Sequence, residues 1–416
     1  MARKRVIYQS EALFVGPTGF NFTYATGAYD AGQYNAGTAT AANRQGKTLN
    51  TFNFTEVTTT GLNNLNVNNG AYNNFFTGTL IEAAFNSGIQ NNIVQLDRVQ
   101  SANYSFEVAR QDVNQYGNLA AIDRIILEQP TVSLEVNYYL NSGANEQDIG
   151  LTLSPTKSML ADILTGGRDT KNYYILVSPE GTDANVDTSR ALAEGNVIGI
   201  SNGFLTSYTM DAAVGEIPSA TINVEGLNMR FYGAASGYLA TVNPQDGSSL
   251  SGTFRIPTPV SGLGFSALRP GDIQFSINGT RGLDNNDLKI QSASLSVELS
   301  REDIQKLGNK FAYTKELTFP ITATMSVDAI IGDMSAGNLA DVLTDDSAKY
   351  DLDLTINQPG GSTTKRAMKF SLKGSKLDSQ SFSSSIGDNK SVTLEFSSQI
   401  GGPTDLVNGV FIQGAE

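Results

Sequence analysis

The sequence predicts a mainly β protein made of two like halves, each a β-sandwich-like unit carrying one short α-helix. Three observations carry that prediction. A stretch of eighteen residues occurs twice. Apolar and polar residues alternate strictly along both copies, as in a strand with one buried face. The chain also holds 41 Gly and abundant Asn, Thr and Ser, which suits many short strands joined by turns.

The first copy runs from Ser101 to Asn118 and the second from Ser292 to Asn309, 191 positions on. Eight of the eighteen places are identical, among them Glu107/Glu298, Arg110/Arg301, Asp112/Asp303 and Gly117/Gly308. Tyr104/Leu295, Phe106/Val297 and Val108/Leu299 keep an apolar residue. Further on, Leu160–Thr165 returns as Leu339–Thr344 at an offset of 179, and Ala220, Ile222 and Val224 return as Val392, Leu394 and Phe396 at 172. The blocks stay in order and the offset only shrinks, as extra residues in the first copy would produce. Self-similarity of this kind marks a tandem architecture. It divides the chain into 1–228 and 229–416, each long enough to bury a core.

In chain order, Val6 to Val15 reads as a strand ended by Gly16-Pro17. Residues 18–80 are dense in aromatics, including Phe20, Phe22, Tyr24, Phe52, Phe75 and Phe76. They read as an arm docking on a neighbouring subunit or as a pair of surface hairpins, and the aromatic density favours docking. Ile93 to Val108 reads as strand, with Tyr104, Phe106 and Val108 on the buried face. Arg110 and Arg301 end the buried rows, where an aliphatic stem can pack. Val113 to Asn118 supplies a polar, Gly-containing turn, so a hairpin or long loop follows.

Thr131 to Leu140 buries Val132, Leu134, Val136 and Tyr138. A helix is expected next: Ser154-Pro155 offers a cap with Pro in the first turn, and Met159, Leu160, Ile163 and Leu164 form its stripe. Its counterpart opens at Met334-Ser335. Tyr173–Val177, Tyr350–Ile356 and the alternating runs around Ile222 and Leu394 are the closing strands. Ile400 to Glu416 holds one apolar patch, Val407 to Ile412, expected as an edge strand or a subunit contact.

The composition is poor in catalytic equipment. There is no Cys, no His and no Trp. That removes thiolate sites, disulfides and the usual general base near neutrality. The net charge of −13 argues against wrapping nucleic acid by neutralising phosphates. The basic start Met1–Arg5 is followed by residues too polar for a signal-peptide core, and no apolar run approaches a membrane span. A soluble protein made inside a cell is expected, with no membrane partner and no cofactor.

The one constellation with catalytic residue types is Glu107, Arg110 and Asp112, repeated as Glu298, Arg301 and Asp303. Two carboxylates could serve as acid and base in glycoside hydrolysis. Alternation puts Glu107 on the face opposite Arg110 and Asp112, so they do not converge, and no enzyme is expected. Arg110, Asp112, Arg301 and Asp303 are read instead as strand-end or intersubunit loop residues. Asp284-Asn285-Asn286-Asp287 lacks the spacing of a calcium loop and reads as a turn. The polar strand faces carry small or amide residues with an acid: Glu107, Glu135, Glu225, Glu298, Asp328 and Glu395. Such a face suits the lining of an aqueous channel or an ordinary solvated sheet surface.

The duplicated unit resembles the major tail tube protein of long, flexible-tailed bacteriophages. The resemblance is carried by the alternating strand, the charged loop Arg110–Asn118, the second strand, Leu160-Ala-Asp-Ile-Leu-Thr165 and the closing strands. The opening Arg3–Pro17 is also similar. It implies two tandem tail-tube-like β-sandwich modules, with inner sheets joining into an intersubunit β-barrel and a long hairpin reaching the next ring. It implies a trimeric ring with pseudo-sixfold symmetry, stacked into a tube in the virion and made in the cytoplasm of a bacterial host. Other tail proteins would sit at the tube ends, and double-stranded DNA would pass through the lumen without specific binding. The alternative of another class is a capsid or tail decoration or fibre-attachment module.

Overall fold

In the computed structural model the described residues are 11–18, 21–23, 51–53, 93–126, 129–165, 169–178, 184, 196–233, 236–243, 247–248, 253–257, 268–278, 288–312, 314–331, 349–358, 365–383 and 391–415. The chain is mainly β. The first half holds β1 (Glu11–Pro17), β2 (Asn21–Thr23), β3 (Thr51–Asn53), β4 (Val94–Gln95), β5 (Val99–Glu107), β6 (Arg110–Val113), β7 (Asp123–Ile126) and β8 (Thr131–Tyr139). Helices α1 (Ala144–Asp148) and α2 (Ala161–Leu164) follow, then β9 (Thr170–Val177), β10 (Asn196–Ala213), β11 (Ser219–Gly226) and β12 (Asn228–Tyr232). Next come β13 (Ser236–Tyr238), β14 (Thr253–Arg255), β15 (Ile273–Asn278), β16 (Leu288–Glu298), β17 (Arg301–Ile304) and β18 (Thr314–Leu317). The last strands are β19 (Thr322–Ile331), β20 (Tyr350–Asn357), β21 (Arg366–Ser383), β22 (Ser391–Gln399) and β23 (Gly409–Gln413).

Most of these strands form one large antiparallel sheet, whose path runs β15-β20-β21-β22-β19-β16-β10-β11-β8-β5. It is open: among the described residues it does not close on itself. β5 is the strand at one end of this path.

The two longest strands each serve two neighbourhoods. Residues 196–204 of β10 pair with β9, and residues 197–201 with β12, whereas residues 207–213 pair with β16. β21 does likewise, lying against β20 and β23 first and β22 later. Each strand turns at a left-handed residue, Asn202 (φ 50°) in β10 and Gly374 (φ 61°) in β21. A Cβ on Gly374 would lie 2.5 Å from Asn408 Oδ1 and 2.7 Å from the Val407 carbonyl oxygen.

Burial of the alternating faces builds the interior. Val132, Leu134, Val136 and Tyr138 of β8, Leu295 and Val297 of β16, and Leu394 and Phe396 of β22 join one continuous core drawn from both halves. β9 is apolar at consecutive positions because both of its faces are covered. Tyr173 and Ile175 enter the large core, and Tyr174 and Leu176 enter a second cluster with Phe14, Phe254 and Ile256. Tyr174 stacks on Phe254 at 4.6 Å between ring centroids. Residues 229–232, with Leu239, Phe254 and Ile256, placed by sequence at the head of the second half, thus pack on strands of the first.

Two expectations need correction. Tyr104 and Phe106 were expected on a buried face, yet they are 36% and 63% exposed. Alternation correctly puts them on the apolar side, but β5 is the last strand of the sheet path, and no further described strand pairs beyond it to complete their cover. The helix expected from Ser154 onward is only α2. Residues 154 and 159 are instead tied to β23, Ser154 N–H donating to Ile412 O (2.7 Å) and Met159 N–H to Val410 O (2.8 Å), and Thr152 N–H closes the segment on itself by donating to Met159 O (2.8 Å). Backbone donors used in this way are not available to a helical turn. The first half also has an extra helix, α1, that the sequence did not suggest. The expected second-half helix after Met334, the turn 284–287 and most of the arm 18–80 lie outside the described residues. The apolar patch 407–412 ends in β23, which ladders with β21 alone, as expected of an edge strand, while Val410, Phe411 and Ile412 are buried.

Candidate functional site

Two features carry functional weight: the polar side of the sheet and the paired hairpins that follow β5 and β16.

The polar side is built by register. Residues opposite each other in a ladder point to the same face. One row runs Asn103, Glu135, Asn223, Ser207, Glu298 across β5, β8, β11, β10 and β16. Another runs Asp211, Ser294, Ser326, Glu395, Ser379 across β10, β16, β19, β22 and β21. A third holds Ala213, Ser292, Asp328, Thr393 and Ser381. The rows cross the β10–β16 boundary without a break.

Hydroxyl and amide neighbours tie the acids down. Ser292 Oγ (2.8 Å) and Thr393 Oγ1 (2.5 Å) donate to Asp328, Ser294 Oγ to Asp211 (2.6 Å), Ser379 Oγ to Glu395 (2.8 Å), and Asn103 Nδ2 to Glu135 (3.4 Å). Of the acids picked from the sequence, Glu107, Glu135, Glu298, Asp328 and Glu395 are exposed on this side. Glu225 is half-buried and ion-paired. Asp211 was missed, although it continues the alternation Ser207, Thr209, Asp211. Two lysines lie outside these rows, Lys376 opposite Ser397 and Lys289 opposite Ile330.

The hairpins place the other predicted residues. In β17–β18, Arg301 has its side chain 2% exposed. It donates from Nε to Leu205 O (3.0 Å), from Nη1 to Lys315 O (3.0 Å) and from Nη2 to Asp169 (2.7 Å). Its guanidinium also lies over the Phe204 ring at 5.0 Å. Lys315, equally buried, bridges Glu225 (2.7 Å) and Asp303 (2.8 Å). Gln129 Nε2 donates to Asp303, and its Oε1 accepts from the Ala312 N–H at 2.6 Å. The second hairpin is therefore clamped onto the first half by desolvated charges that are hydrogen-bonded and paired, the condition for burying them.

The first hairpin, β6–β7, has the same internal pairing. Asp112 lies opposite Arg124 and is ion-paired with it, as Asp303 lies opposite Lys315. Its surroundings differ. Arg110, Asp112 and Arg124 are exposed, as are Ile122, Ile125 and Ile126. Lys315 was not selected from the sequence, but Arg124 and Lys315 keep the 191-residue offset, and that was the available signal. Glu107 lies in the sheet opposite Thr131, while Asp112 lies in the separate hairpin ladder.

A buried acid in the interior also escaped sequence reading. Glu146 of α1 is 1% exposed and accepts from Tyr138 Oη (2.9 Å) and Tyr208 Oη (3.3 Å). Burial raises its pKa above the ordinary carboxylate value, against the lowering effect of the hydrogen bonds.

No family model matches the chain, and no curated protein matches it. Among solved structures, one match is a chain of the anti-feeding prophage (AFP) baseplate, determined by cryo-EM with sixfold symmetrisation. The identity is 13% and the TM-score 0.21, covering 34% of this chain and 91% of that one. Among the described residues no helix is long and apolar enough to cross a membrane.

Proposed function

We propose that this chain is a structural protein of a bacteriophage tail tube. Three copies close into a ring of six like units, rings stack, and the genome leaves through the bore. The two units are tandem copies. β1, β5, β6, β7, β8, β9, β10, β11 and β12 correspond in order and in partners to β15, β16, β17, β18, β19, β20, β21, β22 and β23. The sequence resemblance described above points the same way.

The observation that carries the reading is the β10–β16 junction. There, Ser207 to Ala213 pair with Glu298 to Ser292 and join one four-strand set to the other, edge to edge. Such a contact uses different surfaces on its two sides, so repeating it between chains gives a ring when the rotation closes. Closure removes the exposed edges that invite uncontrolled pairing. The polar face, with Glu107, Glu135, Asp211, Glu225, Glu298, Asp328 and Glu395, then lines the bore. An acidic bore repels phosphates, so double-stranded DNA slides without specific contacts. Other tail proteins cap the tube ends, and no membrane is involved.

Negative-stain microscopy and mass measurement of the purified chain test this. The expected particle is a six-lobed ring of three times the 44.3 kDa chain mass, with stacked tubes at high concentration. A protein that stays monomeric at every concentration overturns the proposal.

A further inference from the structure

The junction inside the chain has a definite stagger, and the ends of the sheet carry the residues to repeat it. The row that starts at Asn103 reaches Glu298 after crossing β8, β11 and β10. Glu298 is the sequence counterpart of Glu107, not of Asn103. Four strand spacings therefore carry a shift of four residues. With about 3.3 Å per residue and about 4.8 Å between strands, the strands tilt by roughly 35° to the axis of any ring built this way. That lies at the tilt closed barrels need, about 35–45°.

The apolar side of the two terminal strands agrees. At the internal junction Met210 faces Leu295, and both are buried. Their counterparts are Phe382 on β21 and Tyr104 on β5, which are 49% and 36% exposed. No described strand pairs with β5 on the side away from β8, or with residues 379–383 of β21 on the side away from β22.

We infer that neighbouring chains join β21 to β5 in the register of the internal junction: Ser379 opposite Glu107, Ser381 opposite Ser105, Phe382 opposite Tyr104 and Ser383 opposite Asn103. The occupant of each terminal edge is thus a second copy of this chain. This inference rests on the ring proposal and adds the register to it.

The chain has no Cys, so paired cysteines report the register directly. Adjacent antiparallel pairs alternate between hydrogen-bonded and non-hydrogen-bonded, and only some admit a disulfide. Two neighbouring pairs are therefore used, S105C with S381C and Y104C with F382C. Each is split between two chains, mixed, allowed to assemble and oxidised. The control is a slip of two residues, N103C with S381C. On a non-reducing gel the expected result is cross-linked dimer from one or both matched pairs and monomer from the slipped pair. Dimer from the slipped pair, or from none in preparations that show rings, overturns the register and leaves the tube standing. A mixture that forms no rings overturns the tube and the register together. Serine to cysteine on exposed strand positions is a small change, so the Ser105/Ser381 arm keeps the test open if the aromatic variants do not fold.

Discussion

Glu146 shows how a single residue sets a response of the fold to pH. Its pKa is raised in the folded chain by burial, so the folded state favours the protonated acid. Such a group contributes stability that is fully present below the unfolded value of about 4.5 and is lost as pH rises through the folded value. Glu146→Gln keeps an oxygen for both tyrosine hydroxyls and removes the charge. The variant should lose this part of the pH dependence. Thermal melts are expected to show it gaining on the parent chain as pH rises from 4 to 8; parallel curves over that range would contradict the assignment. Arg301 and Arg110 make the second residue-scale prediction. Arg301→Ala should cost about 3 kcal/mol, since it strands Asp169 and two backbone carbonyls. Arg110→Ala, at an exposed position, should stay within about 0.5 kcal/mol in the isolated chain. Urea titration of the two variants gives the comparison. The sequence treats these arginines as equals, because identity and offset are blind to which hairpin finds a partner inside its own chain.

At the scale of elements, the alternating strands were legible because a period of two survives any tertiary context. β8, β11, β16, β19 and β22 all bury the face read from the sequence. What could not be read was which strand lies at the end. Burial of Tyr104 depends on a neighbour hundreds of residues away or on another molecule, and nothing local encodes that. The helix after Ser154 failed for a related reason. Pro155 and the cap are local signals, but backbone pairing with β23 takes the donors first. The kinks in β10 and β21 give an element-scale test. Gly374→Val places a β-branched residue at a left-handed backbone position with oxygens crowding its Cβ. A loss of roughly 2–3 kcal/mol is expected, measured by chemical denaturation. An unchanged midpoint would mean the strand does not need that turn.

For the whole molecule, charge is the property that matters. The acids of the polar side were chosen from alternation alone, and the ladders align them across the boundary between the halves. Replacing Glu135, Asp328 and Glu395 together by Lys should leave folding intact, since all three are exposed on one side. Assembled tubes of that variant should retain short double-stranded DNA on a filter at low salt and release it at high salt, whereas the parent tubes retain none. Equal retention by both would mean that these acids are not what keeps DNA from binding.

The clamp of Arg301 and Lys315 has a mechanical consequence. In a trimeric ring, three of the six joints would be welded by buried ions within a chain, and three would depend on contacts between molecules. At the site matching Glu225 the second unit presents Ser397, so the salt link has no twin there. A ring pulled or heated to failure should therefore open only at alternate seams, shedding intact two-unit segments rather than single lobes.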